Sequence, residues 1–168
     1  DEAMDVPLGP EIGQCCGGHV AVGLSYADAA RRERLAALVA AEDAALPHVY
    51  VFGAGHVGRA LAKMLALLPV QVQVIDTRRD ELDLLPEGIA ARAVAMPEAV
   101  VRSAPEGSSY VILTHDHALD FLIAQEALRR QDAPYIGMVG SRTKRARFSS
   151  WFKSEGGDAR ALERLVLP

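Results

Sequence analysis

The stretch Val49-Tyr-Val-Phe52-Gly53-Ala-Gly55-His56-Val-Gly58 limits what this chain can fold into more than any other part of it. Four β-forming residues run directly into Gly-x-Gly-x-x-Gly, and a helical pattern follows, with Leu61, Met64, Leu65 and Leu68 at helical spacing until Pro69 stops it. A second β-forming run, Val70 to Ile75, ends in Asp76. Strand, glycine turn, helix, strand and acid is the order of a dinucleotide-binding βαβ unit. In that reading Gly53 permits the tight turn, Gly55 lets a pyrophosphate approach the backbone, and Gly58 lets the helix pack close to the strand. The amides at the helix start then face the phosphate. Asp76 is the candidate for a ribose hydroxyl, and Arg78 for a 2′-phosphate, so NAD and NADP both remain open. His56 fills a variable position of the turn, as ligand contact or as a solvent-facing residue. The bland alternative for the whole turn is packing alone.

The remaining pattern repeats the alternation. Strands are expected over 91–95, 110–113 and 135–139, a helix begins at Pro97, another spans 118–131, and a basic helix starts at Ser141 or Arg142. Helices between apolar strands imply an α/β chain with a Rossmann-like doubly wound parallel sheet, here of five strands, helices on both faces. Ahead of it, residues 1–26 read as a loop followed by a short strand or hairpin arm. A helix over 29–45 is capped by Asp28, carries a Leu35, Leu38, Val39 stripe and ends before Pro47. The expected organisation is therefore a partial amino-terminal segment, 1–46, with a Cys-Cys-Gly-Gly loop and linker helix, and a Rossmann-like domain over 47–168. The chain opens without an initiator methionine or a signal-peptide pattern and stops after an amphipathic stretch, so it reads as a fragment.

Composition excludes several classes. With 168 residues, 50% hydrophobic and 24% charged, the chain can bury a core and is not disordered. A net charge of −4 argues against a nucleic-acid or acidic-membrane partner, and no apolar run is long enough to span a bilayer. Two adjacent cysteines cannot staple a secreted scaffold and suit a reducing, cytoplasmic setting.

Three further segments carry chemistry. Cys15-Cys16-Gly17-Gly18 offers thiols on a glycine-flanked loop; adjacent cysteines make no ordinary disulfide and lack zinc-knuckle spacing, but a soft thiolate suits a soft metal or a sulfur-transfer partner. Two buried small hydrophobes are the alternative. Thr114-His115-Asp116-His117-Ala-Leu-Asp120 follows the fourth strand, at the sheet edge where ligands of open α/β folds bind. His115 and His117 are candidates for ligand hydrogen bonds or proton transfer, or for capping and loop packing. Gly137-Met-Val-Gly140-Ser141 leads into Arg142, Lys144, Arg145, Arg147 and Lys153, with no acid over 141–153. That is a second candidate anion site on the same edge, or a solvated helix face, or a docking patch.

Taken together, Leu8-Gly-Pro-Glu-Ile-Gly-Gln-Cys-Cys-Gly-Gly18, Phe52-Gly-Ala-Gly-His-Val-Gly-Arg-Ala-Leu61, Asp76-Thr-Arg78, Thr114-His-Asp-His-Ala-Leu-Asp120 and Gly137-Met-Val-Gly-Ser-Arg-Thr-Lys-Arg-Ala-Arg-Phe148 resemble the xanthine dehydrogenase accessory family of the XdhC/CoxI type. The family's amino-terminal region and the Pro-Ile-Gly segment expected after Pro168 are not present. The resemblance implies a cytoplasmic, homodimeric chaperone rather than a turnover enzyme. It would bind molybdenum cofactor (molybdopterin), protect its sulfurated form and insert it into a xanthine dehydrogenase-type apoenzyme, with a cysteine desulfurase as second partner. It also implies a cysteine important for the cofactor, which maps to Cys15 or Cys16, the candidate molybdenum contacts. The cysteine tip is then expected to fold over the rim of the sheet. The rival reading is an NAD(P)-dependent oxidoreductase using the glycine turn and His115 or His117. A third is a binding module that docks through its basic helix.

Overall fold

The computed structural model describes residues 2–13, 15 and 17–167, and the chain divides into two units, 1–44 and 45–168. In the first, β1 (Glu2–Pro7) pairs antiparallel with β2 (His19–Leu24), Glu2 opposite Leu24 and Pro7 opposite His19. α1 (Ala29–Ala44) follows, and the Asp28 carboxylate caps it by accepting the Arg31 amide at 2.7 Å. The sequence of β1 reads as loop. A two-stranded ribbon with both faces open to water demands no apolar alternation, and Glu2 and Asp5 interrupt any such signal. The Leu35, Leu38, Val39 stripe does not become a buried face: these residues are exposed, and α1 buries none of its sixteen residues.

The second unit alternates strand and helix throughout. In chain order it comprises β3 (His48–Phe52), α2 (His56–Leu65), β4 (Gln71–Asp76), α3 (Arg79–Leu82), β5 (Ala90–Ala93) and α4 (Pro97–Ser103). Then come β6 (Ser109–Ile112), α5 (His117–Arg129), β7 (Ile136–Met138), α6 (Arg142–Ser154), a 3-10 turn (Ala159–Arg164) and β8 (Leu165–Val166). All neighbouring strands run parallel, in the order β5-β4-β3-β6-β7-β8. The doubly wound Rossmann architecture expected from the sequence is present, with six strands instead of five. β8 was missed because two residues carry no periodicity. Its place is set by long-range bonds: Arg145 donates to the Leu167 carbonyl at 2.7 Å, and Arg164 to that of Arg130 at 2.7 Å.

The period of two along each strand divides the core. Tyr50, Phe52, Tyr110, Ile112, Ile136 and Met138 pack on one face against α4, α5 and α6. Val51 and Val74 face the other way, towards Ala62 of α2 and Leu82 of α3. On α2 the small residues Gly58 and Ala62 are buried while Met64 and Leu68 stay exposed, so the expected Leu61, Met64, Leu65, Leu68 face is rotated. Two small residues one turn apart let the helix lie close to the sheet, and that contact decides its facing. Among the described residues no helix is long and apolar enough to cross a membrane.

Phe148 anchors the larger face. It is fully buried, edge-on to Phe121 at 5.2 Å and stacked with Phe152 at 5.5 Å. Phe148→Ala should therefore cost about 3–5 kcal/mol, read as a lower urea midpoint at unchanged slope.

Candidate functional site

Connections leave β3 and reach β6 on opposite sides, so a crevice opens beyond their carboxyl ends, where the winding reverses. The glycine turn forms one lip. Gly53 adopts φ +116°, and a Cβ there would sit 2.4 Å from the Leu113 carbonyl oxygen; a Cβ on Gly58 would sit 1.8 Å from the Gly53 oxygen. No other residue type can hold the end of β3, the loop after β6 and the start of α2 this close. Gly55 caps α2 in extended conformation, with open space where a side chain would project. The next residue, His56, starts the helix and is exposed.

Asp76 is 3% exposed and its carboxylate is fully engaged. Oδ2 accepts from the Ala54 amide at 2.7 Å and Arg78 Nη2 at 3.0 Å; Oδ1 accepts from the Arg78 amide at 3.0 Å and Nε at 3.1 Å. Four donors match the roughly four lone-pair sites of a carboxylate. Arg78 also bridges to Glu81, which Arg59 holds from its other oxygen while donating to the Ala54 carbonyl at 2.8 Å. Burial alone would raise the Asp76 pKa, but the guanidinium and the two amides outweigh it and hold the carboxyl below its ordinary range. The same contact raises the Arg78 pKa. Asp76, expected to take a ribose hydroxyl, thus spends its bonding on Arg78 and the turn, while Arg78, the candidate for a 2′-phosphate, commits its Nε and both terminal nitrogens to Asp76 and Glu81 and keeps further N–H donors.

The opposite lip comes from the loops after β6 and β7. Asp116 caps α5 by accepting the Ala118 amide at 2.8 Å, and Ser141 caps α6 by accepting the Lys144 amide at 3.3 Å. Between these starts and Val57 of α2 lies a crevice of about 300 Å³, lined by Thr114, His115, His117, Gly140 and Ser141 among others. No acidic side chain lines it among the described residues. His115, His117, Gly140 and Ser141, singled out separately from the sequence, therefore share one site with the helix that follows the glycine turn.

Beneath that lip sits a buried ion pair. Lys144, 8% exposed, donates to Asp120 Oδ2 and, at 2.7 Å, to the Val139 carbonyl; Asp120, fully buried, also accepts from the Thr114 amide at 3.0 Å and hydroxyl at 2.6 Å. The pair ties both loops together. This corrects the reading of Lys144 as part of a free basic run, since its charge is neutralised inside. Arg145 is likewise engaged, on the Leu167 carbonyl. Sequence reading missed the pair, although its signal was present. Asp120 lies in helical phase with Ile123, Ala124, Ala127 and Leu128, and Lys144 with Phe148 and Phe152, so both polar residues occupy buried stripes.

The cysteine segment belongs to the first unit, in the loop joining β1 to β2. Cys15 is exposed, Gly17 and Gly18 have φ of 67° and 116°, and Cys16 lies outside the described residues. Among the described residues no three His, Cys, Asp or Glu side chains are grouped to hold a metal ion.

Comparison with known proteins settles the relationship. The XdhC Rossmann domain family matches residues 49–168. The chain belongs to the XdhC family. No curated protein matches it significantly. Among solved structures, this XdhC-family chain is similar to a xanthine dehydrogenase from Bacillus halodurans, at 22% identity over 62% of this chain and 33% of that one, TM-score 0.55. It thus spans a third of that protein's length. It is also similar to the NAD(P)-binding domain of an exopolyphosphatase-related protein from Archaeoglobus fulgidus, at 21% identity over 73% and 87% of the two chains, TM-score 0.53. The TrkA-N domain of the Escherichia coli inner membrane protein ybaL matches at 20% identity over the same shares, TM-score 0.51. At these identities the likeness is one of fold.

Two outcomes follow from the ionic contacts. Asp120→Ala leaves Lys144 buried without its counter-charge and should cost about 3–5 kcal/mol, whereas Asp120→Leu combined with Lys144→Met should restore much of that; urea unfolding compares the three. Asp76 has a folded pKa below its unfolded value of about 3.9, so its contribution is present above that value and is lost as pH falls through the folded pKa. The stability gap between the native chain and Asp76→Asn should therefore be widest near neutrality and close in acid, in unfolding curves taken from neutral to strongly acidic pH.

Proposed function

We propose that this chain is part of an accessory protein that binds molybdenum cofactor, guards its sulfurated form and delivers it to a xanthine dehydrogenase-type molybdenum hydroxylase. The observation that carries the reading is the acid-free crevice between the glycine turn and the capped starts of α5 and α6, in a chain of the XdhC family. When bound, the cofactor supplies a dithiolene-held molybdenum and a phosphate, or a nucleotide pyrophosphate. The residues here fit the anionic end: open space at Gly55 ahead of a helix start, Ser141 and the two histidines, and no carboxylate in the crevice lining among the described residues. Cys15 or Cys16 is the soft ligand offered to molybdenum. A cysteine desulfurase as sulfur donor and a homodimeric assembly in the cytoplasm complete the proposal.

The rival, an NAD(P)-dependent oxidoreductase, draws on the same turn and on His115 or His117. It needs an acid free to take the adenosine ribose, and Asp76 has no lone pair left for one.

Anaerobic equilibrium binding of molybdenum cofactor tests the proposal, with the full chain, Gly55→Asp and Cys15→Ala/Cys16→Ala compared. Gly55 has ordinary φ and open space, so the aspartate is tolerated sterically and adds a charge where phosphate would lie. Binding should weaken about tenfold or more in Gly55→Asp and fall in the cysteine variant, with no saturable response to NADH or NADPH. Undiminished binding by Gly55→Asp removes the crevice from the proposal, undiminished binding by the double cysteine variant removes the thiol, and saturable NADH binding favours the rival.

A further inference from the structure

A second cavity, of about 490 Å³, opens between α5 and α6 and meets the crevice along a shared wall of His117, Ser141 and Lys144. Its apolar side is aromatic. Phe121 and Trp151 lie with ring centroids 5.5 Å apart and planes tilted by 35°, backed by fully buried Phe148 at 5.2 and 6.0 Å. Leu122, 41% exposed, extends that side, and Thr143 and Arg147 stand on the α6 side. No acidic side chain lines the cavity among the described residues.

Arg147 is the informative residue. Elsewhere in this unit Arg59, Arg78, Arg130, Arg145 and Arg164 each hold a carboxylate or a carbonyl, while Arg79, Arg92, Arg142 and Arg160 are exposed and line no part of this cavity. Arg147 is exposed, and its guanidinium makes no ion pair or hydrogen bond among the described residues. A concave aromatic surface beside an uncommitted guanidinium is unfavourable to leave wet and has a specific complement: a flat ring to stack on the aromatics and a negative charge for the fork.

We infer that this groove binds a flat heteroaromatic ring carrying an anionic substituent, with the ring against Phe121 and Trp151 and the anion on Arg147. The inference deepens the cofactor reading and rests on it for the ligand's source: the groove adjoins the crevice and takes the ring system of the same phosphorylated ligand, with Arg147 on its charged substituent. A pterin and a nucleobase are both flat heteroaromatic rings that are uncharged near neutral pH, so the charge for Arg147 comes from a substituent, the carboxylate of a carboxypterin or the phosphate of a nucleotide.

Trp151 is the chain's single tryptophan, so its indole N–H gives one assignable resonance in a nitrogen-15 spectrum. The full chain is titrated with 6-carboxypterin and, separately, with adenosine monophosphate. A saturable shift of the indole resonance with either probe is expected, and the tighter probe names the source. Arg147→Glu, a surface change that leaves the core alone, should weaken that probe about tenfold. A resonance unmoved by both probes overturns the inference, as does equal affinity in Arg147→Glu. The two readings fail separately. Cofactor that binds the chain without moving Trp151 removes the groove and keeps the cofactor; probes that bind here while cofactor does not bind do the reverse.

Discussion

The buried contact between Lys144 and Asp120 is what the candidate site depends on. It joins two helix starts that the chain separates by more than twenty residues, and each partner anchors a different loop, Lys144 through the Val139 carbonyl and Asp120 through Thr114. A charge pair is an expensive way to hold a core together, because both ions lose their hydration and the mutual attraction only offsets that loss when the remaining bonds are satisfied. Here they are. What the pair adds is register: the loops after β6 and β7 keep one geometry, so His115, His117 and Ser141 stand at fixed places around the crevice and at the edge of the aromatic groove.

The other lip is rigid for a different reason. Backbone meets backbone at Gly53 and Gly58 with no room for a methyl group, and the Ala54 amide is fastened to Asp76. The network of Asp76, Arg78, Glu81 and Arg59 then locks the turn to α2 and α3. In a dinucleotide-binding protein the acid at the end of the second strand is reserved for ribose. In this chain it is spent on the scaffold. The glycine turn of the fold is retained, while the acid at the end of its second strand is internally satisfied.

Local patterns account for much of what was legible. Strand, glycine turn and helix follow from β-forming residues next to residues that tolerate tight turns and close approach, and the cap at Asp28 follows from a short polar side chain ahead of a helical run. Where sequence reading failed, the deciding partner lay elsewhere. The face of α2 was misassigned because Met64 is as apolar as Leu65, and only the closeness of Gly58 and Ala62 to the sheet turns it outward. β8 exists because β7 has a free edge, and nothing within two residues announces that. β1 carries charges on a ribbon that buries neither face.

The amino-acid order by itself determined the Rossmann class, the turn that ends its first strand, and the set of polar residues gathered at the carboxyl edge of the sheet, since these are written in periodicity and in the conformational needs of glycine, proline and capping residues. Tertiary structure alone decided how those residues spend their charge. Asp76 and Arg78 pair with each other, Lys144 goes inside, and Arg147 is left facing the aromatic groove. Whether an ionised group binds a ligand or a neighbour depends on distances across the fold, and a local sequence pattern does not contain them.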